Sequence, residues 1–191
     1  MTAALVILGG YLLGSMPFGY WVVRIFRHED VRERGSGNIG ATNVWRVYGR
    51  RYGIPVMLLD VAKGFLPALV GVLAGGAALV GHWRPLFLGL RRGGKTVATA
   101  GGVLWAVAPL VALAAAGVWL VVFVVFRYAS VSSMAAAVSL PLLAWLLGEP
   151  WPVIVFGALA AAAVLVLHRA NIRRLRTGTE SRFHFGRTAR V

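Results

Sequence analysis

"VATAGGVLWAVAPLVALAAAGVWLVVFVVF", Val97 to Phe126, is a run of 30 uncharged and mostly apolar residues. As one helix it would be about 45 Å long, against a bilayer hydrocarbon core of about 30 Å. Pro109 lies near its middle, where a proline removes a backbone donor and breaks or kinks a helix. The run therefore reads as two short spans that meet at Pro109. One span or two decides on which side of a membrane everything beyond residue 126 lies.

Working outward, the other apolar segments cover about 5–26, 54–75, 77–90, 134–147 and 153–168. With 97–126 divided, the total is seven. Arg24 and Arg27 close the first segment, and basic residues mark the cytoplasmic end of a span, so the N-terminus is expected outside. Seven spans then place 28–53, 84–96, 127–133 and the tail from 169 inside. Together with the two arginines that close the first segment, these regions hold every Lys and Arg except Lys63. The outer loops carry one charge, Glu149. A single span over 97–126 would send the Arg-rich tail outside, against the positive-inside rule. A second topology makes the third and fourth segments a re-entrant pair and also keeps the tail inside. No cleavable signal peptide is expected, because the first run is too long for one and no basic region precedes it.

Composition agrees with this reading. Hydrophobic residues make up 59% of the 191, and mean hydropathy is +0.75, above a soluble domain. The expected fold is an all-α polytopic membrane protein with seven transmembrane helices, several short. It forms a single membrane-embedded domain over 1–191, with its C-terminus cytoplasmic and a basic cytoplasmic tail from about 170. Cysteine is absent, which excludes disulfides and thiolate–metal sites. The net charge of +14 sits in loops rather than in a soluble basic domain, so nucleic acid is not an expected partner. Anionic lipid headgroups and phosphorylated substrates are.

Three polar clusters fall on the inner side. The first is "RERGSGNIGATNVWRVYG", 32–49. Its glycines at 35, 37 and 40 permit positive φ and let N–H groups converge on an anion. Ser36, Thr42 and Asn43 add short polar side chains, and Arg46 lies about one helical turn past Asn43. A helix N-terminus near Thr42 would also favour a phosphate. The glycine stretch offers little for a core, and a flexible connector is the competing reading.

The second cluster is "GHWRPLFLGLRRGGKT", 81–96. Gly93, Gly94 and Lys95 combine bare backbone with an ammonium, the logic of a phosphate cradle. A Walker A loop is excluded, since GxxxxGK[ST] needs glycine where Leu90 stands. His82 reads equally as a satisfied membrane histidine. The third cluster is "HRANIRRLRTGTE", 168–180. If the last span continues as a helix past His168, then His168, Asn171 and Arg174 share one face. Such a face can orient a hydroxyl or an oxyanion, or bind lipid headgroups.

Asp60 and Lys63, at i and i+3 inside a span, read as a structural ion pair or as functional groups. "SVSS", 130–133, suits helix packing as well as ligand contact. "GSMPFGY", 14–20, reads as a kink with close helix packing. With six acidic residues in all, no carboxylate pair is placed for acid/base work. No metal-ligand spacing or GxSxG elbow is present.

These motifs together resemble a known family. "GSGNIGATN" with Arg46, "GH" at 81–82 followed by "GGK" at 93–95 and "VAT" at 97–99, and "HRANIRRLRTGTE" are similar to the signature loops of the bacterial acyl-phosphate:glycerol-3-phosphate acyltransferases, the PlsY family. "GSMPFGY", "DVAKG" at 60–64 and "SVSS" match in family order as well. The resemblance implies a multi-pass enzyme of the bacterial inner membrane with its active site facing the cytoplasm. The implied reaction moves a fatty acyl group from acyl phosphate to the sn-1 hydroxyl of glycerol 3-phosphate. It yields lysophosphatidic acid and phosphate for phospholipid biosynthesis, with no cofactor and no metal. A monomer is the working expectation.

On this resemblance His168, Asn171 and Lys95 are the expected catalytic residues. Ser36, Gly37, Asn38, Thr42, Asn43, Arg46, Gly93, Gly94 and Ser133 are the expected substrate contacts. Two departures stand out. The family usually has glycine after Gly-Gly-Lys, where this chain has Thr96. It usually has an aromatic residue two past the GH histidine, where this chain has Arg84. The rival reading is a transporter of a small phosphorylated solute, which would need polar groups along a path across the membrane. A lipid-binding scaffold is a second rival and would not need the His/Asn/Lys set.

Overall fold

A computed structural model describes residues 2–183. Ten α-helices account for most of that length: α1 Thr2–Gly14, α2 Phe18–Arg27, α3 Ala41–Tyr48, α4 Arg50–Ala68, α5 Val72–Trp83, α6 Val97–Val107, α7 Pro109–Phe126, α8 Ala129–Leu146, α9 Trp151–Leu167 and α10 Arg169–Arg176. Short 3₁₀ turns sit at Val31–Glu33 and Leu86–Leu88. The long apolar run divides at Ala108, whose φ of −153° and ψ of 69° leave the helix. Pro109 then opens α7, a position where its missing N–H costs nothing.

The chain forms two compact units, and the division falls within α6 after Val103. In the first, α1 packs along α5, and α4 packs on α1, α2, α3 and α5. Gly10 and Gly14 are spaced by four, so they share one face of α1. They lie against the backbone of Ala74 and Ala78 on α5, where a side chain would collide with Ala74 O or Ala78 O. Small residues at this spacing let two apolar helices touch through their backbones. The expected kink is a full break at Ser15–Pro17, where the Ser15 hydroxyl donates to Tyr11 O at 2.8 Å.

Beyond α2 the polar loop is pinned by an apolar core of Val23, Val31, Ile39, Val44 and Val56. Ile39 corrects the expectation that the glycine stretch offers little for a core, because it is 2% exposed. The second span also differs from its expected limits. Its helix begins at Arg50 and ends at Ala68, and Gly71, with φ of +140°, separates it from α5. Hydropathy marks where a chain is apolar, whereas the turn sets where a helix stops.

In the second unit α7 packs on α8, and α8 on α9. Gly157 meets the α8 backbone at Leu140 and Pro141. α8 starts at Ala129, five residues before the apolar segment does, so "SVSS" is helical. Two of its three hydroxyls are satisfied within the helix, since Ser132 and Ser133 donate to Tyr128 O and Ala129 O at 3.0 and 2.7 Å. The expected continuous helix past His168 is also corrected, because α9 and α10 meet there at 55°.

The surface of this fold is apolar where a soluble protein's would be polar. Leu110, Leu113, Leu120, Val121, Val124 and Val125 of α7 are each more than half exposed. Contiguous apolar surface on this scale needs a partner or lipid. Among the described residues three helical stretches are long and apolar enough to cross a membrane: 3–27, α7 and α8. α9 with α10 adds a fourth if the bent pair counts as one span.

Candidate active site

The first unit carries the two glycine loops. In the loop from 28 to 40, Asp30 caps the 3₁₀ turn by accepting from Arg32 N at 2.9 Å. The Arg32 guanidinium returns to the same carboxylate and holds it below its usual pKa range. Gly35 and Gly37 take φ of +58° and +69°. Gly40, for which positive φ was also open, does not use it. It precedes α3 at φ −75°, and what it lacks room for is a side chain, since Asn38 Oδ1 stands in the way.

Asn43 organises this loop. Its Oδ1 accepts from Ser36 N at 2.8 Å, and its Nδ2 donates to Asn38 O at 2.9 Å and Arg34 O at 3.1 Å, with Val31 O at 3.4 Å. It is 2% exposed, so its amide is committed to the loop's own backbone. The N–H groups of Gly37 and Gly40 are likewise turned inward, to Arg34 O and Asn38 Oδ1. The loop is therefore a folded object rather than a string of open donors. Of the candidate contacts in this loop and α3, Ser36, Gly37 and Thr42 are exposed, while Asn38 and Arg46 are half-buried.

The second loop packs against the end of α5. A helix C-terminus leaves carbonyls without partners. Here Gly93 N donates to Trp83 O at 2.9 Å and Gly94 N to His82 O at 3.0 Å. A side chain on Gly93 would strike His82 O, and one on Gly94 would strike the His82 ring at Nε2. Close approach to α5 thus accounts for both glycines. Asn38 Nδ2 donates to Gly93 O at 3.4 Å and ties the two loops together. Lys95 follows, half-buried. Thr96 then takes φ of +63°, a left-handed conformation that a β-branched residue rarely adopts.

Buried beneath the second loop, the expected Asp60–Lys63 pair is joined by His82, which the sequence had placed in a separate cluster. Asp60 Oδ1 lies 2.8 Å from Lys63 Nζ and 3.7 Å from His82 Nδ1. Asp60, Lys63 and His82 are each no more than 3% exposed.

The second unit holds the remaining candidates. His168 is 3% exposed, and its Nδ1 lies 2.8 Å from Val164 O. A carbonyl can only accept, so Nδ1 carries the proton and Nε2 is the basic nitrogen of the neutral ring. Asn171 Nδ2 donates to Glu180 Oε1 at 2.6 Å, Ser130 Oγ donates to the same atom at 2.7 Å, and Arg174 Nε donates to Oε2 at 2.7 Å. Burial alone would raise the Glu180 pKa, but these donors outweigh it and hold the carboxyl below its usual range. Glu180 was part of the third motif but had been given no role. Nothing in a helical periodicity shows that the chain turns back nine residues after Asn171. Ser133 is buried, donates to Ala129 O and accepts from Trp119 Nε1 at 3.2 Å.

Fold and loops define an integral membrane protein with Gly/Asn/Lys loops suited to anions, and with a buried histidine and an Asn/Ser/Arg/Glu cluster at the end of its last long helix suited to orienting a hydroxyl. The sequence matches the family model for glycerol-3-phosphate acyltransferase over residues 4–178. It is 46% identical to the glycerol-3-phosphate acyltransferase of Synechococcus sp. (strain JA-3-3Ab), across 95% of this chain and 94% of that one. It is 42% identical to that of Aquifex aeolicus (strain VF5), across 96% and 100%. Its fold is similar to a crystal structure of PlsY (YgiH), an integral membrane glycerol 3-phosphate acyltransferase, in the glycerol 3-phosphate form. The TM-score is 0.92 at 42% identity, with 96% of each chain covered. The lysophosphatidic acid form gives a TM-score of 0.88 at 40% identity. The chain belongs to the glycerol-3-phosphate acyltransferase family.

Proposed function

We propose that this protein transfers a fatty acyl group from acyl phosphate to the sn-1 hydroxyl of glycerol 3-phosphate. The observation that carries the reading is the pair of structural relatives, one in a glycerol 3-phosphate form and one in a lysophosphatidic acid form. These are an acceptor and a product of one transfer. In that step the glycerol oxygen bonds to the acyl carbon, and the bond from that carbon to the phosphate oxygen breaks. The hydroxyl proton passes to a base, and inorganic phosphate leaves. An acyl phosphate is a mixed anhydride with a good leaving group, so no covalent enzyme nucleophile is needed. The protein has to hold two phosphates, align one hydroxyl and stabilise developing charge.

Roles follow residue by residue. Ser36, Gly37 and Asn38 receive the acyl-phosphate head. Thr42 stands at the start of α3, whose N-terminus favours anions. Arg46, Lys95 and Ser133 clamp glycerol 3-phosphate. Asn43, Gly93 and Gly94 act through the loops they shape. His168, through Nε2, and Asn171 orient the hydroxyl, and the base is His168 or the substrate's own phosphate.

The proposed arrangement has seven spans in the inner membrane, with 3–27 as the first and α4 to α9 as the rest. The N-terminus is outside and the loops are cytoplasmic, which the distribution of Lys and Arg supports. The part of the basic tail from 184 onward lies outside the described residues. The test supplies purified protein with acyl phosphate and glycerol 3-phosphate and follows phosphate release together with lysophosphatidate. No turnover, or full turnover after Lys95→Ala and His168→Ala, would sink the reading. Uptake of phosphorylated solute into sealed vesicles without turnover would favour the transporter.

A further inference from the structure

Asp60, Lys63 and His82 have no place in the chemistry above, yet all three are buried within the first unit. A buried charge is costly unless paired, and a well-packed apolar set at the same place is often as stable or more so. Stability is therefore a weak reason for their presence, and their contacts suggest a better one. Lys63 Nζ donates to Met16 O at 2.8 Å and lies 5.5 Å from the Phe18 ring centroid. It thereby holds the break between α1 and α2 and the first residue of α2, next to Gly19, which packs against the Ile39 carbonyl of the first glycine loop. Asp60 Oδ1 pairs with Lys63 and lies 3.7 Å from His82 Nδ1, a close contact rather than a hydrogen bond. The opposite edge of that imidazole, at Nε2, is the surface on which Gly94 rests. The His82 carbonyl accepts from Gly94 N. One side chain later stands Lys95.

We propose that Asp60, Lys63 and His82 form a positioning strut for acyl transfer, fixing the Gly93–Gly94–Lys95 loop relative to the helix break beside which the first loop packs. The inference rests on the acyltransferase reading. The three residues act through Lys95 and its loop and do not touch substrate. Because Lys95 is assigned to glycerol 3-phosphate, loosening the strut should weaken capture of that substrate selectively.

The experiment uses the full chain in detergent, with wild-type turnover established first, so that failure of the acyltransferase reading itself is seen separately. The double variant Asp60→Asn/Lys63→Met removes both charges with little change in volume. The expected result is a retained melting temperature and elution profile, with the KM for glycerol 3-phosphate raised about tenfold, the scale of a sub-ångström misplacement. The KM for acyl phosphate should stay unchanged. A purely structural role would instead lower apparent kcat with the folded fraction and leave both KM values alone, and that result overturns the proposal. His82→Asn keeps a nitrogen facing Asp60 and removes the edge under Gly94. It should reproduce the same split, and an unchanged KM there overturns the proposal as well. If neither variant folds, the cluster holds the unit together rather than positioning its loop, and the proposal is again overturned.

Discussion

Asn43 permits a sharp test of the first loop, because replacing its amide by a carboxylate changes two hydrogens and almost no volume. In the wild type Oδ1 accepts one bond, from Ser36 N at 2.8 Å, and Nδ2 donates two good ones, to Asn38 O and Arg34 O at 2.9 and 3.1 Å. At about 1 kcal/mol net each, the set is worth about 3 kcal/mol of loop stability, and Asn43→Ala should lose about that much. Asn43→Asp keeps the accepted bond but points an oxygen at two carbonyl oxygens in a site that is 2% exposed. It loses about 2 kcal/mol of donated bonds and adds desolvation and repulsion of about 1–3 kcal/mol. Asp should therefore be worse than Ala at neutral pH, although it is the closer copy.

Acid should reverse that order. A protonated carboxyl accepts from Ser36 and donates to one carbonyl, at a cost of about one bond, or 1 kcal/mol. The folded loop thus prefers the protonated form, and the pKa of the introduced Asp rises above its unfolded value of about 3.9. A raised folded pKa means that stability is greatest below the unfolded pKa. It declines as pH rises towards the folded one, by about 1.4 kcal/mol per unit. Amide exchange at Ser36, with thermal melting between pH 4 and pH 8, measures this. An Asp variant no worse than Ala at pH 8, or indifferent to pH, would refute the view that Asn43 donates to the loop carbonyls.

Thr96→Gly and Thr96→Ala both remove the hydroxyl and the methyl, so their difference isolates the backbone. At φ of +63°, Gly should exceed Ala by about 0.5–1 kcal/mol in thermal melting, left-handed strain less glycine entropy, and an Ala variant equal to Gly would remove the strain argument. Glu180 has a depressed pKa, so its contribution is complete above the ordinary glutamate range near pH 4.3 and is lost as pH falls through the lower folded value. Glu180→Ala should cost about 2–4 kcal/mol and abolish that acid-sensitive part of the melting curve, less than a fully buried pair because Arg174 can rehydrate. Ser133→Ala and Trp119→Phe should each cost about 1 kcal/mol and be non-additive, since they break one shared bond. Only Ser133→Ala should raise the KM for glycerol 3-phosphate, and equal effects of the two on KM would make Ser133 a packing residue.

Local rules were legible and return contacts were not. Pro109 acts on its own backbone, so the division of 97–126 could be read before any packing was known. The kink at Ser15–Pro17 was legible for the same reason, though not that it would become a full break. The bend at His168 follows no proline or glycine, and helical periodicity ran straight through it. The start of α8 was misread because serines lower hydropathy, whereas in place Ser132 and Ser133 bond back to carbonyls one turn earlier and cost the helix little.

The polar clusters divide along the same line. Residue types, together with the family resemblance, picked out Asn38, Asn43, Gly93 and Gly94. They could not say that Asn43 would face inward, because an amide that binds a ligand and one that binds its own loop have the same spacing. Thr96 shows what the two levels yield together. From sequence alone it is only a departure from glycine. With φ in hand, the departure becomes a side chain held in a conformation that glycine adopts without strain, directly after the lysine assigned to substrate. The usual glycine and the exceptional threonine then answer to one constraint, the single left-handed residue that separates Lys95 from the start of α6.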